Sequence, residues 1–285
     1  MLNPAAGKGV PEDLGRQIES HFSGKELDYR LTELGENEGP EKIKSEIAAY
    51  GPTIVVAAGG DGTVSLVADK ILGKEISLGI LPLGSSNALA YQFGIPDDPS
   101  EALRIIAGSR SRSIDVIRIN ERYYCLHMSD LGMNARVIRR YEQENIRGFY
   151  GYARQYIREL GNREKFRVHV SADGSHHSVK AVMVVLSNAP HYGTGAKIAP
   201  EGKPDDGWFE VIAIRSYPFW FLFYMLLSIF TGKVSVDRFS TIIKCREAHV
   251  TVTPPQDMQV DGEFLGSQRE VNARIIAGGL KILSP

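Results

Sequence analysis

The stretch Thr53-Ile54-Val55-Val56-Ala57-Ala58-Gly59-Gly60-Asp61-Gly62-Thr63 sets the fold of the first part of the chain. Its first six residues are apolar and rich in β-branched side chains, which predicts a strand buried in a parallel sheet. The glycines that follow let backbone N–H groups turn toward an anion at the positive end of a helix predicted from Thr63 to Leu72. This pattern indicates a phosphate-binding loop. The structural alternative is a tight turn with Asp61 as an N-cap.

Asp61 needs a separate explanation, because a bare carboxylate beside phosphate groups repels them. The carboxylate becomes useful when it holds Mg²⁺ or a water molecule bound to that ion. Two other nucleotide-binding signatures are missing from the sequence. The pattern GxxxxGK followed by Ser or Thr does not occur in the chain, and GxGxxG does not occur at this loop.

The order of predicted strands and helices changes near residue 113. Before it, a second apolar strand from Ile76 to Leu81 alternates with predicted helices, which indicates βαβ units and a parallel sheet. After it, strand patterns dominate and one helix is predicted, over 148–160. The predicted strands are Ile114 to Ile119, Tyr123 to Met128, Phe166 to Val170, Val179 to Ser187, Trp208 to Ile214, His249 to Thr253 and Val271 to Ile276.

The length of 285 residues fits one large domain or two of average size. The strand and helix patterns favour two. We predict an α/β nucleotide-binding domain over 1–113, which the segment 272–285 can rejoin, and a β-rich, mostly antiparallel domain over 114–271. A cleft between two such domains is a usual ligand site.

Composition excludes several classes of protein. Apolar residues make up 43% and charged residues 24% of the chain, values typical of a folded globular protein. The net charge of -1 argues against a nucleic-acid partner. Two cysteines, Cys125 and Cys245, cannot build a disulfide framework, which favours a reducing, cytoplasmic location. The N-terminal residues have neither the basic region nor the apolar region of a signal peptide.

Further motifs keep their order along the chain. They are Asn3-Pro4 with Gly7, Pro82-Leu83-Gly84-Ser85-Ser86-Asn87, Leu131-Gly132-Met133-Asn134-Ala135, a run from Ser187-Asn188 to Asp206-Gly207, and Val260-Asp261-Gly262-Glu263. Together with the GGDGT loop they resemble the diacylglycerol kinase catalytic superfamily, which includes bacterial diacylglycerol and related lipid kinases, sphingosine kinases and ceramide kinases. The GGDG loop alone also occurs in NAD kinases and phosphofructokinases, so the other motifs carry the resemblance.

The resemblance implies a nucleotide-binding α/β domain, a β-sandwich-like second domain, and transfer of the γ-phosphate of ATP to a lipid hydroxyl. It implies nucleotide contacts by Asn3, Gly7, Thr32, Gly59, Gly60, Asp61, Gly62, Thr63, Ser65, Ser85 and Asn87. Asp61 falls on the acid of a Mg²⁺ and water network, and Asp261 and Glu263 fall on the acids that activate the acceptor. These three are the predicted catalytic residues. Asp206, with backbone groups near Lys203 and Trp208, falls on a second, structural Mg²⁺ site.

The sequence departs from the family at several acidic positions. Ser65 and Leu66 follow the GGDGT loop where relatives often have Asn and Glu, and Ala88 and Asn134 replace acids in two other motifs. The GGDG loop shared with NAD kinases and these missing acids leave two rival functions open. One is an NAD kinase-like small-molecule kinase, and the other is a nucleotide- or lipid-binding regulator with impaired catalysis.

The Asp261-Gly262 pair is also a common hairpin turn, which is its structural alternative. The chemical reason for acids here is that a carboxylate can accept the proton of an alcohol as phosphoryl transfer proceeds.

The most apolar stretch, 218–230, lies among 17 uncharged residues between Arg215 and Lys233. It is slightly short for a spanning helix, which needs about 20 residues. A buried core helix, a membrane-surface element and a true span are the alternatives. The basic stretch from Arg136 to Arg167 could meet anionic headgroups, which favours the membrane surface. We therefore expect a lipid alcohol substrate and peripheral membrane association; a homodimer is one alternative for the oligomeric state.

Overall fold

The computed structural model describes residues 1–7, 10–22, 28–35, 39–108, 110–144, 149–160, 164–192, 196–199, 202–216 and 239–285. The chain forms two compact units. The first consists of Met1–Ile114 and Gly278–Pro285, and the second of Asp115–Ala277. The return to the first unit comes at Gly278 rather than at the predicted residue 272, because Val271 and Ala273 still pack in the core of the second unit.

The first unit alternates helices with strands, as predicted. Its elements are α1 (Leu14–Phe22), α2 (Gly39–Tyr50), β1 (Ile54–Gly59), α3 (Asp61–Ile71), β2 (Ser77–Pro82), α4 (Ala88–Gln92) and α5 (Pro99–Gly108). Strands β1 and β2 are parallel, in register from Ile54 opposite Ser77 to Gly59 opposite Pro82. On the other side of β1, the Asn3 N–H donates to the carbonyl of Ala58 at 2.9 Å. The carboxyl end of β1 is thus held from both sides.

The remaining elements are nearly all strands. They are β3 (Ser111–Ile119), β4 (Tyr123–Cys125), β5 (Met128–Gly132), α6 (Met133–Gln143), α7 (Phe149–Leu160), β6 (Phe166–Ala172), β7 (Ser175–Ala181), β8 (Met183–Ser187), β9 (His191–Tyr192), β10 (Ala196–Lys197), β11 (Phe209–Ile214), β12 (Ser240–Cys245), β13 (Glu247–Val260) and β14 (Glu263–Leu283). Strand β14 crosses from the second unit into the first, where Lys281 pairs with Ser77 of β2 in parallel.

Strand β13 organises the second unit. It pairs antiparallel with β6 in its first half, with β5 at its end, and with β14 along much of its length. Apolar side chains from these strands and from β8 and β11 form a buried core, and Phe209 is among its largest fully buried members. The predicted mostly antiparallel β architecture is confirmed.

Helix α6 was not predicted. Its sequence is dominated by polar and basic side chains, but Met133, Ala135 and Val137 are buried. The predicted strand from Tyr123 to Met128 is also interrupted, since β4 ends at Cys125 and β5 begins at Met128. Strand β12 was missed as well.

No helix in the described ranges is long and apolar enough to cross a membrane. The apolar stretch 218–230 lies outside the described residues, so its three alternatives stay open.

Candidate functional site

Three turns of the first unit meet through their main chains. A Cβ atom placed on Gly84 would lie 2.5 Å from the Cα of Gly60, and one placed on Gly7 would lie 2.2 Å from the carbonyl oxygen of Leu83. The Leu83 N–H donates to the carbonyl of Gly59 at 2.9 Å. Glycine is therefore required for this close approach, and the structure brings together the NPxxG turn, the glycine loop and the PLGSSN loop.

Helix α3 presents its N-terminus at this junction. It begins at Asp61, and its N-cap residue Gly60 has no side chain to accept a hydrogen bond from the first turn. The Gly60 carbonyl accepts the N–H of Val64 at 3.1 Å, which starts the helix. Helix N-termini with uncapped N–H groups favour anions. The predicted phosphate-binding loop therefore has the geometry of an anion site.

Asn3, Thr63 and Asn87 stabilise the junction with their side chains. The Asn3 amide donates to Thr63 Oγ1 at 3.0 Å. Asn87 accepts the Gly84 N–H at 2.8 Å and donates to the Gly84 carbonyl at 3.1 Å, which closes the PLGSSN loop. Ser85 is exposed at the tip of that loop. These predicted nucleotide residues lie on the three turns that meet.

The Asp61 carboxylate bonds to backbone groups of the PLGSSN segment. Oδ1 accepts the N–H of Leu89 at 3.0 Å and Oδ2 accepts that of Ala88 at 3.2 Å, so the carboxylate caps α4. Burial raises the pKa of Asp61, against the opposing effect of these two hydrogen bonds. Asp61 therefore connects two loops of the site, a structural role that the sequence did not predict.

Thr32 and Ser65 make different contacts. The Thr32 carbonyl accepts the N–H of Leu2 at 2.8 Å, and its hydroxyl donates to Glu46 of α2 at 3.5 Å. The Ser65 hydroxyl is buried on α3 and has no hydrogen-bond partner within the described part of the chain. A nucleotide contact by either side chain stays a prediction.

The Asp261-Gly262 pair forms the hairpin turn between β13 and β14. Both residues have positive φ, 47° and 92°, and Val260 pairs with Glu263 across the turn. Two residues with positive φ match a type I′ turn, which favours Asp-Gly. The turn brings Asp261 and Glu263 to one end of the hairpin, where Glu263 is exposed.

The Asp261 carboxylate accepts three backbone hydrogen bonds. Oδ2 accepts the N–H of Leu126 at 2.7 Å, and Oδ1 accepts those of His127 and Met128 at 3.0 Å each. These bonds explain the interruption between β4 and β5, because the N–H groups there point to the carboxylate. Burial raises the pKa of Asp261 to about 6, and the backbone hydrogen bonds act in the opposite direction.

At the predicted structural Mg²⁺ site of Asp206, Lys203 and Trp208, the Asp206 carboxylate already has partners within the protein. The Lys244 ammonium lies 2.7 Å from Asp206 Oδ2, and the Trp208 N–H donates to Oδ1 at 3.1 Å. Lys203 is exposed. Lys244 supplies the positive charge that the resemblance assigned to a cation.

We therefore expect that Mg²⁺ does not stabilise the second unit of the wild-type protein. Lys244→Gln should lower the free energy of unfolding by no more than about 1 kcal/mol, because the ion pair is partly exposed. It should also make the melting temperature rise with Mg²⁺, since Asp206 loses its counter-ion. The measurement is thermal melting without nucleotide, with and without Mg²⁺, and Lys281→Gln removes a different exposed ion pair as the control. An equal rise with Mg²⁺ in the wild type would contradict this account.

Two family models match consecutive parts of the chain. The diacylglycerol kinase catalytic domain matches residues 1–119, and the YegS C-terminal NAD kinase beta sandwich-like domain matches residues 128–284. The chain belongs to the diacylglycerol kinase catalytic superfamily. The predicted family is therefore confirmed, and with it the assignment of the chain as a kinase.

A named relative and two solved structures are similar to this chain, the structures in fold alone. It is 26% identical over 254 residues to a probable lipid kinase YegS-like protein of Cronobacter sakazakii, covering 86% of this chain and 82% of the relative. A putative diacylglycerol kinase from Bacillus anthracis has a similar fold, with a TM-score of 0.81, 20% identity and coverage of 100% and 95%. An NAD kinase from Archaeoglobus fulgidus, solved in complex with ATP, has a TM-score of 0.52, 11% identity and coverage of 100% and 94%.

Two features of these two units were missed from the sequence. One is the set of backbone N–H groups that bind Asp61 and Asp261, which no side-chain pattern reveals. The other is Asp130, a carboxylate in the fully buried strand β5. A charged residue inside the short run Met-Ser-Asp-Leu-Gly was the available signal, because buried charges require specific partners.

Proposed function

We propose that this kinase uses ATP and Mg²⁺ to phosphorylate the hydroxyl group of diacylglycerol or a similar lipid alcohol. The proposal rests on one observation. The NPxxG turn, the glycine loop and the PLGSSN loop meet through their main chains at the N-terminus of α3. The family gives the kinase activity, and relatives named as lipid kinases support a lipid acceptor.

The glycine loop binds the phosphates of ATP in this proposal. The contact between Gly60 and Gly84 leaves no room for a side chain, so ligand oxygens can approach backbone N–H groups directly. Each Asp61 oxygen accepts one backbone hydrogen bond and keeps further acceptor capacity, which suits a water molecule of a hydrated Mg²⁺. When bound, the ion would neutralise negative charge on the transferring phosphoryl group.

The two acids of the hairpin turn have different roles in this proposal. Three backbone N–H groups already bind the Asp261 carboxylate, so Asp261 holds the turn in place. Glu263 is exposed at the start of β14, and we assign to it the acceptance of the proton from the lipid hydroxyl. A positioned base is one contribution to such a reaction, beside charge neutralisation and orientation.

The choice of substrate distinguishes this function from its main rival, an NAD kinase-like activity. The fold similarity to an NAD kinase favours that rival. The purified protein would be incubated with ATP and Mg²⁺ and offered diacylglycerol, other long-chain alcohols and NAD in parallel. We expect a phosphorylated lipid and no phosphorylated NAD. If NAD is the only substrate phosphorylated, the protein is an NAD kinase-like enzyme. If the protein binds ATP but phosphorylates none of the substrates, it is a regulator.

A lipid acceptor is held in a membrane. We therefore also propose that this kinase is cytoplasmic and acts at the membrane surface. Arg139 and Arg140 are paired with Asp257 and Glu159, at 2.6 Å each, so these arginines are partly neutralised within the protein. The stretch 218–230 therefore remains the main candidate for membrane contact; aromatic residues dominate its first half.

Changing Trp220 and Phe221 together to Ser should reduce binding to vesicles that contain anionic lipid and lower activity on bilayer substrate. Activity on a short-chain substrate in solution should remain, because only membrane contact is lost. Vesicle co-sedimentation gives the measurement, and Tyr29→Ser, which removes a half-exposed aromatic ring in the first unit, is the control. A melting temperature lowered by many degrees in the double variant would identify the stretch as core.

A further inference from the structure

A network of buried polar side chains connects strand β5 to the Asp261-Gly262-Glu263 turn. Asp130 sits in β5, completely inaccessible to solvent, and its Oδ2 accepts hydrogen bonds from Gln259 Nε2 at 2.6 Å and from Asn134 Nδ2 at 2.7 Å. Asp130 and Gln259 are direct neighbours across the β5–β13 ladder. Both amide residues are also buried, with exposures of 3% for Asn134 and 2% for Gln259. Burial strengthens these bonds and raises the cost of breaking them.

Two hydrogen bonds fix the orientation of the Gln259 side-chain amide. The backbone N–H of Gly262 can only donate, so the oxygen of the Gln259 amide faces Gly262 and the NH₂ group faces the Asp130 carboxyl. The amide oxygen then points the other way and accepts the N–H of Gly262 at 2.7 Å. Gly262 lies between Asp261 and Glu263. The buried carboxylate is thus connected, through one side-chain amide, to the backbone of the turn.

The main chain of Gln259 is held as well. The Ser129 hydroxyl donates to the Gln259 carbonyl at 2.6 Å, so backbone and side chain of this residue are both anchored to β5. Asn134, which replaces an acid of the family motif, bonds to the same Asp130 oxygen. A buried carboxylate therefore lies beside the position where the sequence lacks one.

We propose that Asp130 and Gln259 are positioning residues that fix the Asp261-Gly262-Glu263 turn for phosphoryl transfer. Asp130 acts by orienting the Gln259 amide, and Gln259 acts by holding the Gly262 N–H. The proposal rests on the lipid kinase function proposed above, in which Glu263 receives the proton of the acceptor. Because neither residue is assigned a contact with ATP, their loss should affect turnover and spare ATP binding.

The test compares two substitutions that each remove one amide from Asp130. Gln259→Met breaks the link to Gly262 at similar side-chain volume, and Asn134→Leu removes the other amide but leaves that link in place. We expect Gln259→Met to lower kcat for lipid phosphorylation about tenfold with KM for ATP changed by less than about twofold. Asn134→Leu should keep most of the wild-type kcat, although both variants lose a buried hydrogen bond and melt at lower temperature.

Hydrogen–deuterium exchange at the Gly262 amide provides a readout that needs no activity. Exchange should accelerate in Gln259→Met and stay slow in Asn134→Leu. If Gln259→Met does not fold, Asp130→Ala serves instead, because it removes the oxygen that accepts the Gln259 amide; faster Gly262 exchange and a lower kcat at unchanged KM for ATP are expected. Equal loss of kcat in Asn134→Leu and Gln259→Met, or unchanged Gly262 exchange, would overturn the proposal. Absence of lipid kinase activity in the wild type would refute the proposed function instead, while the exchange experiment would still decide whether Gln259 holds the turn.

Discussion

Asp61→Asn is expected to lower turnover about 100-fold or more at saturating Mg²⁺, with the fold retained. The carboxylate charge would be lost from the phosphate site. The substitution also places an NH₂ group against the N–H of Ala88 or of Leu89, because each of these N–H groups donates to a different Asp61 oxygen. Steady-state kinetics over a range of Mg²⁺ concentrations separates the two effects. If Asp61 acts through the metal, Asp61→Asn needs a higher Mg²⁺ concentration for half-maximal activity. If the substitution only loosens α4, the variant is less stable and its Mg²⁺ dependence is unchanged.

Asp97→Asn is a suitable control for this experiment. Asp97 is exposed and accepts a hydrogen bond from Asn87 at 3.1 Å, so it belongs to the same loop region without capping α4. It should retain nearly full activity. Retention of more than about half of wild-type activity in Asp61→Asn would show that the assignment of Asp61 to the metal network is wrong.

Asp261→Asn is expected to destabilise the second unit and to reduce turnover. Oδ2 accepts one backbone N–H, from Leu126, and Oδ1 accepts two, so either orientation of the amide leaves at least one buried donor without an acceptor. An unsatisfied buried donor costs about 1–3 kcal/mol in unfolding free energy. Glu263→Gln provides the contrast, because Glu263 is exposed: we expect slower turnover at nearly unchanged stability. Urea unfolding and kinetics on both variants check this, and equal stability loss in the two would contradict the anchoring role of Asp261.

The raised pKa of Asp261 gives the stability a specific pH dependence. Its folded pKa of about 6 lies above the ordinary value of 3.8, so this group contributes stability that is complete below about pH 4 and is lost as the pH rises through about 6. Each pKa unit corresponds to roughly 1.4 kcal/mol. Unfolding free energies measured from pH 4 to pH 7 should contain this decline in the wild type and lack it in Asp261→Asn. Parallel pH profiles for the two proteins would show that Asp261 does not titrate in this way.

The parts of the site that follow from local sequence were predictable. The apolar run before Gly59 and the glycines after it predicted β1, the loop and α3, because strand burial and backbone freedom are local properties. Asp261-Gly262 likewise fits the hairpin turn that its residue types favour. Motif order then supplied the family, which the matching family models confirm.

The contacts that sequence did not predict join residues far apart in the chain. Asp61 binds backbone groups 27 and 28 residues away, and Asp261 binds groups more than 130 residues away. Main-chain N–H groups carry no residue identity, so no motif marks them as partners. The Lys244–Asp206 pair was missed for a related reason: the two residues lie 38 positions apart and meet only because β11 and β12 are adjacent.

Transfer of labelled phosphate is the most direct test of the central claim that the junction of three turns at α3 is the ATP site of a lipid kinase. ATP labelled in its γ-phosphate would be incubated with Mg²⁺, the wild-type protein or Asp61→Asn, and mixed vesicles containing diacylglycerol and other lipid alcohols. We predict that label appears on a lipid hydroxyl with the wild type, identified by mass spectrometry, and falls about 100-fold with Asp61→Asn. Label that reaches no lipid, or that reaches lipid equally well with Asp61→Asn, would contradict the account.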